Sequence, residues 1–161
     1  MKKIKIVLTG QSNVGKSSIM NYLCDSYVSS VSNKPQTTRT NIHASVVSDN
    51  VDLSIYDTPG VSVFDKSLLS VLMKKSFLHP IDQIDVLIII LEANKAMSDM
   101  DKSIIESAEM MQKKVIIVIN KIDLLAKSDL VKAINILTKS YNYPIFSVSV
   151  KSTDGLTKFA D

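Results

Sequence analysis

The sequence predicts an α/β fold: a mostly parallel six-stranded sheet with one antiparallel edge strand, covered by helices on both faces in three layers. Three observations carry that prediction. Apolar, β-branched runs alternate along the 161 residues with segments of helical spacing. Three of the runs, "DVLIIILEA" at 85–93, "KVIIVIN" at 114–120 and "PIFSVS" at 144–149, are apolar nearly throughout, as strands buried on both faces must be. Two others, "IHASVV" at 42–47 and "DLSIY" at 52–56, flank the turn-forming "SDNV" and read as an antiparallel hairpin. Alternation of this kind places helices on both sides of one sheet through right-handed crossovers.

Each element follows in order. The run "IKIVLT" at 4–9 opens the sheet and passes at once into a glycine-bearing turn and the helical pattern "KSSIMNYL" at 16–23. A polar, irregular stretch from Tyr27 to Asn41 predicts a mobile loop. The hairpin comes next, then a second loop after "DTPG" at 57–60 and a helical segment over about 66–78. Further helical patterns at 99–112 and 128–141 flank the strand at 114–120. The stretch "TDGLTKFAD" at 153–161 carries N-cap chemistry and one or two helical turns. Such a helix ordinarily continues until it covers the sheet, so the expectation is one domain over 1–161, stopping within its last helix as a fragment of a longer chain.

Composition excludes several classes. Hydrophobic residues at 45% and charged residues at 22% describe a globular protein, and no repeat or low-complexity tract interrupts it. The net charge of +3, from 19 basic and 16 acidic residues, is too mild for a nucleic-acid surface. Lys2–Lys3, Lys74–Lys75 and Lys113–Lys114 are far apart, without interleaved aromatics, and read as solvated element ends. The one cysteine, Cys24, excludes an internal disulfide and reads as a packed thiol on a helix. The longest apolar run, "VLIIIL" at 86–91, falls far short of the ~20 residues of a membrane span. With no leader pattern before the first strand, the expectation is a cytoplasmic protein without a transmembrane segment; peripheral membrane association stays open.

Five stretches point to one nucleotide. "GQSNVGKS" at 10–17 fits G-x-x-x-x-G-K-[ST] between a strand and a helix, the phosphate-cradling loop of P-loop NTPases. Gly10 and Gly15 free backbone N–H groups to face phosphates at the positive end of the helix. Asn13, Val14, Lys16, Ser17 and Ser18 complete the nucleotide-binding set; Lys16 is expected on the β- and γ-phosphates and the Ser17 hydroxyl on Mg²⁺. This loop alone admits ATP or GTP. "NKID" at 120–123 selects guanine, because the Asp123 carboxylate accepts from both N1–H and the 2-amino group, a donor pair adenine lacks. Asn120 and Lys121 are expected to brace that loop and cover the ring.

"DTPG" at 57–60 ends its strand with Asp57, expected to hold Mg²⁺ through water, and Gly60, whose N–H is expected at the γ-phosphate. "SVK", the residues Ser149, Val150 and Lys151, fits a backbone contact with guanine O6. In "NKPQTTRTN" at 33–41 a threonine must ligate Mg²⁺ and touch the γ-phosphate, and Thr38 is preferred to Thr37. His43, His79, Met97, Met100, Met110 and Met111 read as structural or solvated rather than as ligands. "NKID" sets aside an ATP-dependent kinase. Two readings stay open: a slow GTP hydrolase acting as a switch, and a non-catalytic module that senses GTP and GDP by loop order.

Taken together, GQSNVGKS, KPQTTR, DTPGV, NKID and SVK resemble the TrmE–Era–EngA–YihA-type GTPases, and "NKPQTTR" resembles the Era subgroup most closely. The likeness spans essentially the whole chain, with EngA-like and tRNA-modification types as the alternatives within the family. Era-like proteins carry a C-terminal KH domain that binds the 3′ end of 16S ribosomal RNA and assists small-subunit maturation. None of that domain falls within 1–161, so the resemblance implies those partners for a full-length protein and no tight RNA binding by these residues. One departure is Ser149–Val150, where the family commonly has Ser-Ala.

The resemblance also bears on Val61, which stands where Ras-like GTPases place a water-orienting glutamine. Era-like enzymes have a hydrophobic residue there. In several relatives the asparagine three residues before the P-loop lysine, here Asn13, helps to ligate K⁺. The implied catalytic set is Asn13, Lys16, Thr38 and Gly60, with GTP or GDP, Mg²⁺ and K⁺ bound. The cation would supply positive charge in place of an arginine finger, for which Arg39 is the sole arginine on offer.

Overall fold

The computed structural model describes residues 2–26, 42–48, 51–57, 84–110 and 112–160. Six strands form one sheet: β1 (Lys2–Thr9), β2 (Ile42–Ser48), β3 (Val51–Asp57), β4 (Val86–Glu92), β5 (Lys114–Asn120) and β6 (Ile145–Ser147). Their order is β2-β3-β1-β4-β5-β6, with β2 antiparallel to β3 at one edge and every other pairing parallel. The helices are α1 (Lys16–Ser26), α2 (Asp99–Met110), α3 (Lys127–Ser140) and α4 (Leu156–Ala160).

The two faces explain why the central strands are apolar nearly throughout. Successive side chains of a strand point to opposite faces, so a sheet covered twice must be apolar at every position. In β4, Leu87, Ile89 and Leu91 join the cluster that receives Ile104, Ile105 and Ala108 of α2 and Leu137 of α3. Ile88 and Ile90 join the opposite cluster, which receives Ile19, Met20 and Leu23 of α1 and Leu156 of α4. Ile89 and Ile90 are each 0% exposed, and each such side chain contributes roughly 1.5–3 kcal/mol by leaving water.

Parallel register fixes where the site must lie. Leu8 is level with Asp57, Thr9 with Ile89, and Glu92 with Asn120, so the C-terminal ends of β1, β3, β4 and β5 share one edge. That edge is where open α/β sheets bind ligands.

Element ends differ from expectation for local reasons. β6 stops at Ser147, inside the expected 144–149. The Val148 N–H still donates to Ile119 O (2.8 Å), but Ser149 N–H turns to Asp154 O (3.0 Å) and the chain leaves the ladder. The expected helix at 99–112 ends at Met110, because Gln112 takes φ 52, the left-handed conformation that closes helices. Met97 and Met100 pack on the core, whereas Met110 is 76% exposed. Cys24, on α1, is half-buried against the core cluster beneath that helix, and burial first, then Asp25, pushes its thiol pKa up, away from nucleophilic use. The loop at 27–41, the segment at 66–78, His79 and Met111 lie outside the described residues.

Gly155 makes the last turn of the fold. It has φ +70, and a Cβ there would sit 2.1 Å from Ser147 O. Neither the carbonyl of β6 nor the left-handed backbone can yield cheaply. Gly155→Ala is therefore expected to lose about 2 kcal/mol or more of stability, read as a lower urea midpoint with an unchanged m-value.

Candidate functional site

The turn after β1 needs glycine at two points. At Gly10, φ is +145 and a Cβ would meet Ile90 O at 2.4 Å; at Gly15, φ is +99 and a Cβ would meet Asn120 Nδ2 at 2.2 Å. Between them Asn13 takes φ 64, so the loop curls back upon itself before α1 begins at Lys16. Lys16 is only 7% exposed and donates from Nζ to Gln11 O (2.8 Å) and Gly10 O (3.3 Å). Burial lowers its pKa, with the nearby Asp57 carboxylate opposing that shift.

The loop after β5 grips the loop after β1 at consecutive carbonyls. Asn120 Nδ2 donates to Val14 O (2.8 Å), and Lys121 Nζ donates to Asn13 O (2.6 Å). Asn120 is 2% exposed, and its Oδ1 is buried without a hydrogen-bond partner among the described residues. Lys121 reaches back because its own backbone is left-handed, φ 63, before a 3-10 turn at Ile122–Leu124. The expectation for Asn120 and Lys121 is to brace the loop and cover the ring; the structure places both side chains on P-loop carbonyls.

A third loop closes the site. Ser149 Oγ donates to Asp123 Oδ1 (2.5 Å) and accepts from Ser152 N–H (3.1 Å). The Ser149 N–H donates to Asp154 O (3.0 Å), which turns the chain out of the ladder at the first residue of "SVK". A cavity of about 370 Å³ is lined by Gly15, Ser18, Asn120, Lys121, Asp123, Leu124, Ser149, Val150 and Lys151. That volume lies within the range of small-ligand sites. Ser149 as the residue that orients Asp123 was missed from sequence, where only its backbone was considered.

At the ends of β3 and α1 the Ser17 hydroxyl donates to Asp57 Oδ2 (2.5 Å). Asp57 is 6% exposed, and its Oδ1 is buried with no hydrogen-bond partner among the described residues. A hydroxyl beside a buried carboxylate with a spare oxygen is the hard donor set that suits Mg²⁺, which takes few protein ligands and completes its shell with phosphate and water. Thr37, Thr38, Arg39, Gly60 and Val61 lie outside the described residues.

Two further groups were not read from sequence. Glu92, at the end of β4, pairs with Lys95 and Lys121. Gln11 donates from Nε2 to Ser98 Oγ and Asp101 Oδ2, both at 2.8 Å. Ser98 and Asp101 cap α2 reciprocally: Asp101 N–H donates to Ser98 Oγ (3.2 Å) and Ser98 N–H to Asp101 Oδ2 (2.9 Å). The S-x-x-D spacing at 98–101 was a visible capping signal. Its capture of a P-loop side chain was not.

The chain is similar to known proteins in sequence and in fold. Residues 5–121 fit a family model described as 50S ribosome-binding GTPase. GTPase Era of Clostridium perfringens is 33% identical over 155 residues, covering 94% of this chain and 52% of that protein. The chain thus spans about half the length of the curated relatives it matches. Among solved structures, a Tyr→Ala variant of Aquifex aeolicus Era bound to GDP and AlF₄⁻ superposes with TM-score 0.74 at 25% identity, over 99% of this chain and 55% of the other. Era in complex with MgGDPNP and a segment of 16S ribosomal RNA superposes with TM-score 0.75 at the same identity and coverage. With more than two-thirds of its length matched by that model, this chain belongs to the family of 50S ribosome-binding GTPases.

Proposed function

We propose that residues 1–161 form the GTP-binding and GTP-hydrolysing domain of an Era-like switch whose turnover is slow and stimulated by K⁺. One observation carries the reading: the loop of Asn120 and Lys121 holds the P-loop at Val14 O and Asn13 O, with Asp123 on the cavity beside it. This sets guanine recognition and phosphate binding at a fixed separation. In this reading Asp123, oriented by Ser149, takes the guanine N1–H and 2-amino group, and the N–H groups of Val150 and Lys151 face O6. Lys16 leaves its P-loop carbonyls for the β- and γ-phosphates. Ser17 and Thr38, with Asp57 through a water, would hold Mg²⁺, which would supply neutralising charge at the phosphates, and Gly60 would sense the γ-phosphate. Asn13 would supply its side-chain carbonyl oxygen to K⁺, whose charge would take the part of an arginine finger.

The partners proposed for the full-length protein, 16S ribosomal RNA and the small ribosomal subunit, rest on likeness to Era. Among the described residues no helix is long and apolar enough to cross a membrane.

Single-turnover hydrolysis of GTP tests the catalytic reading. K⁺ is expected to raise the rate about 10-fold or more over Na⁺, which is only ~1.4 kcal/mol of barrier. Asn13→Ala should remove most of that difference and leave GDP affinity nearly unchanged, since Lys16 and the backbone cradle remain. Equal rates in K⁺ and Na⁺ would sink the cation mechanism and favour a sensing module awaiting a partner's catalytic group.

A further inference from the structure

Glu92 is charged, yet it sits at the end of a strand whose five preceding residues are buried, with its side chain 7% exposed. Such a carboxylate costs several kcal/mol to desolvate unless cations compensate it. Its Oε2 lies 2.8 Å from Lys95 Nζ and 3.3 Å from Lys121 Nζ. The two ammonium groups differ in setting: the Lys95 side chain is 62% exposed and that of Lys121 is 32%. Burial opposes ionisation of Glu92, but contacts with both lysines outweigh it and hold its carboxyl below the usual range.

Lys121 completes a chain of contacts. The ammonium that faces Glu92 is the one that donates to Asn13 O at 2.6 Å. Strand pairing holds the arrangement in register: Glu92 is level with Asn120, and Ala93 N–H continues the ladder to Asn120 O (2.8 Å). A lysine carries four carbons of free rotation, so one backbone acceptor on a curled loop does not fix its direction. The Glu92 carboxylate, 3.3 Å from the same ammonium, supplies a second and charged partner.

From this geometry we infer that Glu92 is a positioning residue for guanine-nucleotide binding: it clamps Lys121 against the P-loop carbonyl of Asn13 and thereby slows nucleotide release. The inference rests on the nucleotide reading above and adds to it a residue of β4, outside the five stretches that identify the site. The exposed Lys95 is the second cation on Glu92 Oε2, at 2.8 Å.

A double-mutant cycle tests it. In the wild-type background, Glu92→Gln is expected to weaken GDP binding about 10-fold, mostly through faster release in a fluorescent-GDP chase. In a Lys121→Met background the same substitution should change GDP affinity less than twofold, because the group it orients is gone. Glu92→Asp, with the charge on a shorter stem, should recover part of the loss. A merely structural role predicts otherwise: a lower melting temperature and an equal affinity loss in both backgrounds. That pattern, or wild-type affinity in Glu92→Gln, overturns the inference. If Glu92→Gln does not fold, Glu92→Asp carries the cycle, expected about threefold weaker with Lys121 present and unchanged without it. Failure of the wild-type protein to bind GDP would instead overturn the nucleotide reading, and the inference with it.

Discussion

Asp123→Asn should weaken GDP binding on the order of 100-fold or more and make XDP the preferred ligand. Guanine has two donors, N1–H and the 2-amino group, and in the proposed reading both go to Asp123, the carboxylate that lines this cavity among the described residues. Each hydrogen bond to a charged acceptor contributes roughly 1.5–3 kcal/mol, and a donor left facing an amide N–H is penalised rather than ignored. An asparagine retains one acceptor and replaces the other with a donor. Xanthine exchanges the 2-amino group for a carbonyl, which accepts what asparagine now offers.

The surroundings of Asp123 sharpen that expectation. Ser149, 0% exposed, donates its hydroxyl to Asp123 Oδ1 at 2.5 Å and is itself fixed by Ser152 N–H and Asp154 O. In the proposed reading the carboxylate would meet the base already oriented, with less side-chain freedom to lose on binding. Titration of GDP and XDP into both proteins by calorimetry checks the exchange. An Asp123→Asn protein with unaltered GDP affinity would remove guanine recognition from this loop.

Much of this architecture is legible in the residue pattern, and what is not has a common physical cause. β4 and β5 declare themselves because double burial leaves no polar position inside them, and their apolar runs end at Glu92 and Asn120, the edge of the sheet. Lys16, Ser17, Asn120 and Asp123 stand out as candidates because the chemistry proposed for them, phosphate and guanine binding, asks for fixed residue types at short spacing. Ser149 and Glu92 do not, because their roles arise between segments. Ser149 meets Asp123 across 26 residues, Glu92 meets Lys121 through strand register, and Gln11 finds Asp101 across 90 residues. No local rule encodes those distances. The failure at β6 was of the other kind: the apolar pattern continues to Val148, but hydrogen bonds of the 149–154 turn claim the backbone before the strand can lengthen.

Lys16→Met is expected to cut GTP hydrolysis about 10³-fold while leaving the fold as stable as before, or more so. Here the two consequences of one side chain separate. Loss of a preorganised cation at a transferring phosphoryl group removes several kcal/mol of transition-state stabilisation, and removal of a single comparable donor elsewhere costs 10²–10³-fold. In the nucleotide-free protein the same ammonium is a liability. It is 7% exposed and bonded to two carbonyls, Gln11 O and Gly10 O, and burial lowers its pKa from 10.5 despite the neighbouring Asp57. A lysine whose folded pKa is depressed releases its proton more readily when folded, so its cost to stability is full below the folded pKa. That cost fades as pH rises towards the unfolded value of 10.5. Methionine fills much of the same space without a charge. Thermal unfolding without nucleotide should therefore find Lys16→Met at least level with wild type at pH 7, its advantage shrinking as pH is raised towards 10. Hydrolysis within 10-fold of wild type would exclude Lys16 from the phosphates. A melting temperature that falls at neutral pH would instead show that its bonds to the P-loop carbonyls outweigh the burial of its charge.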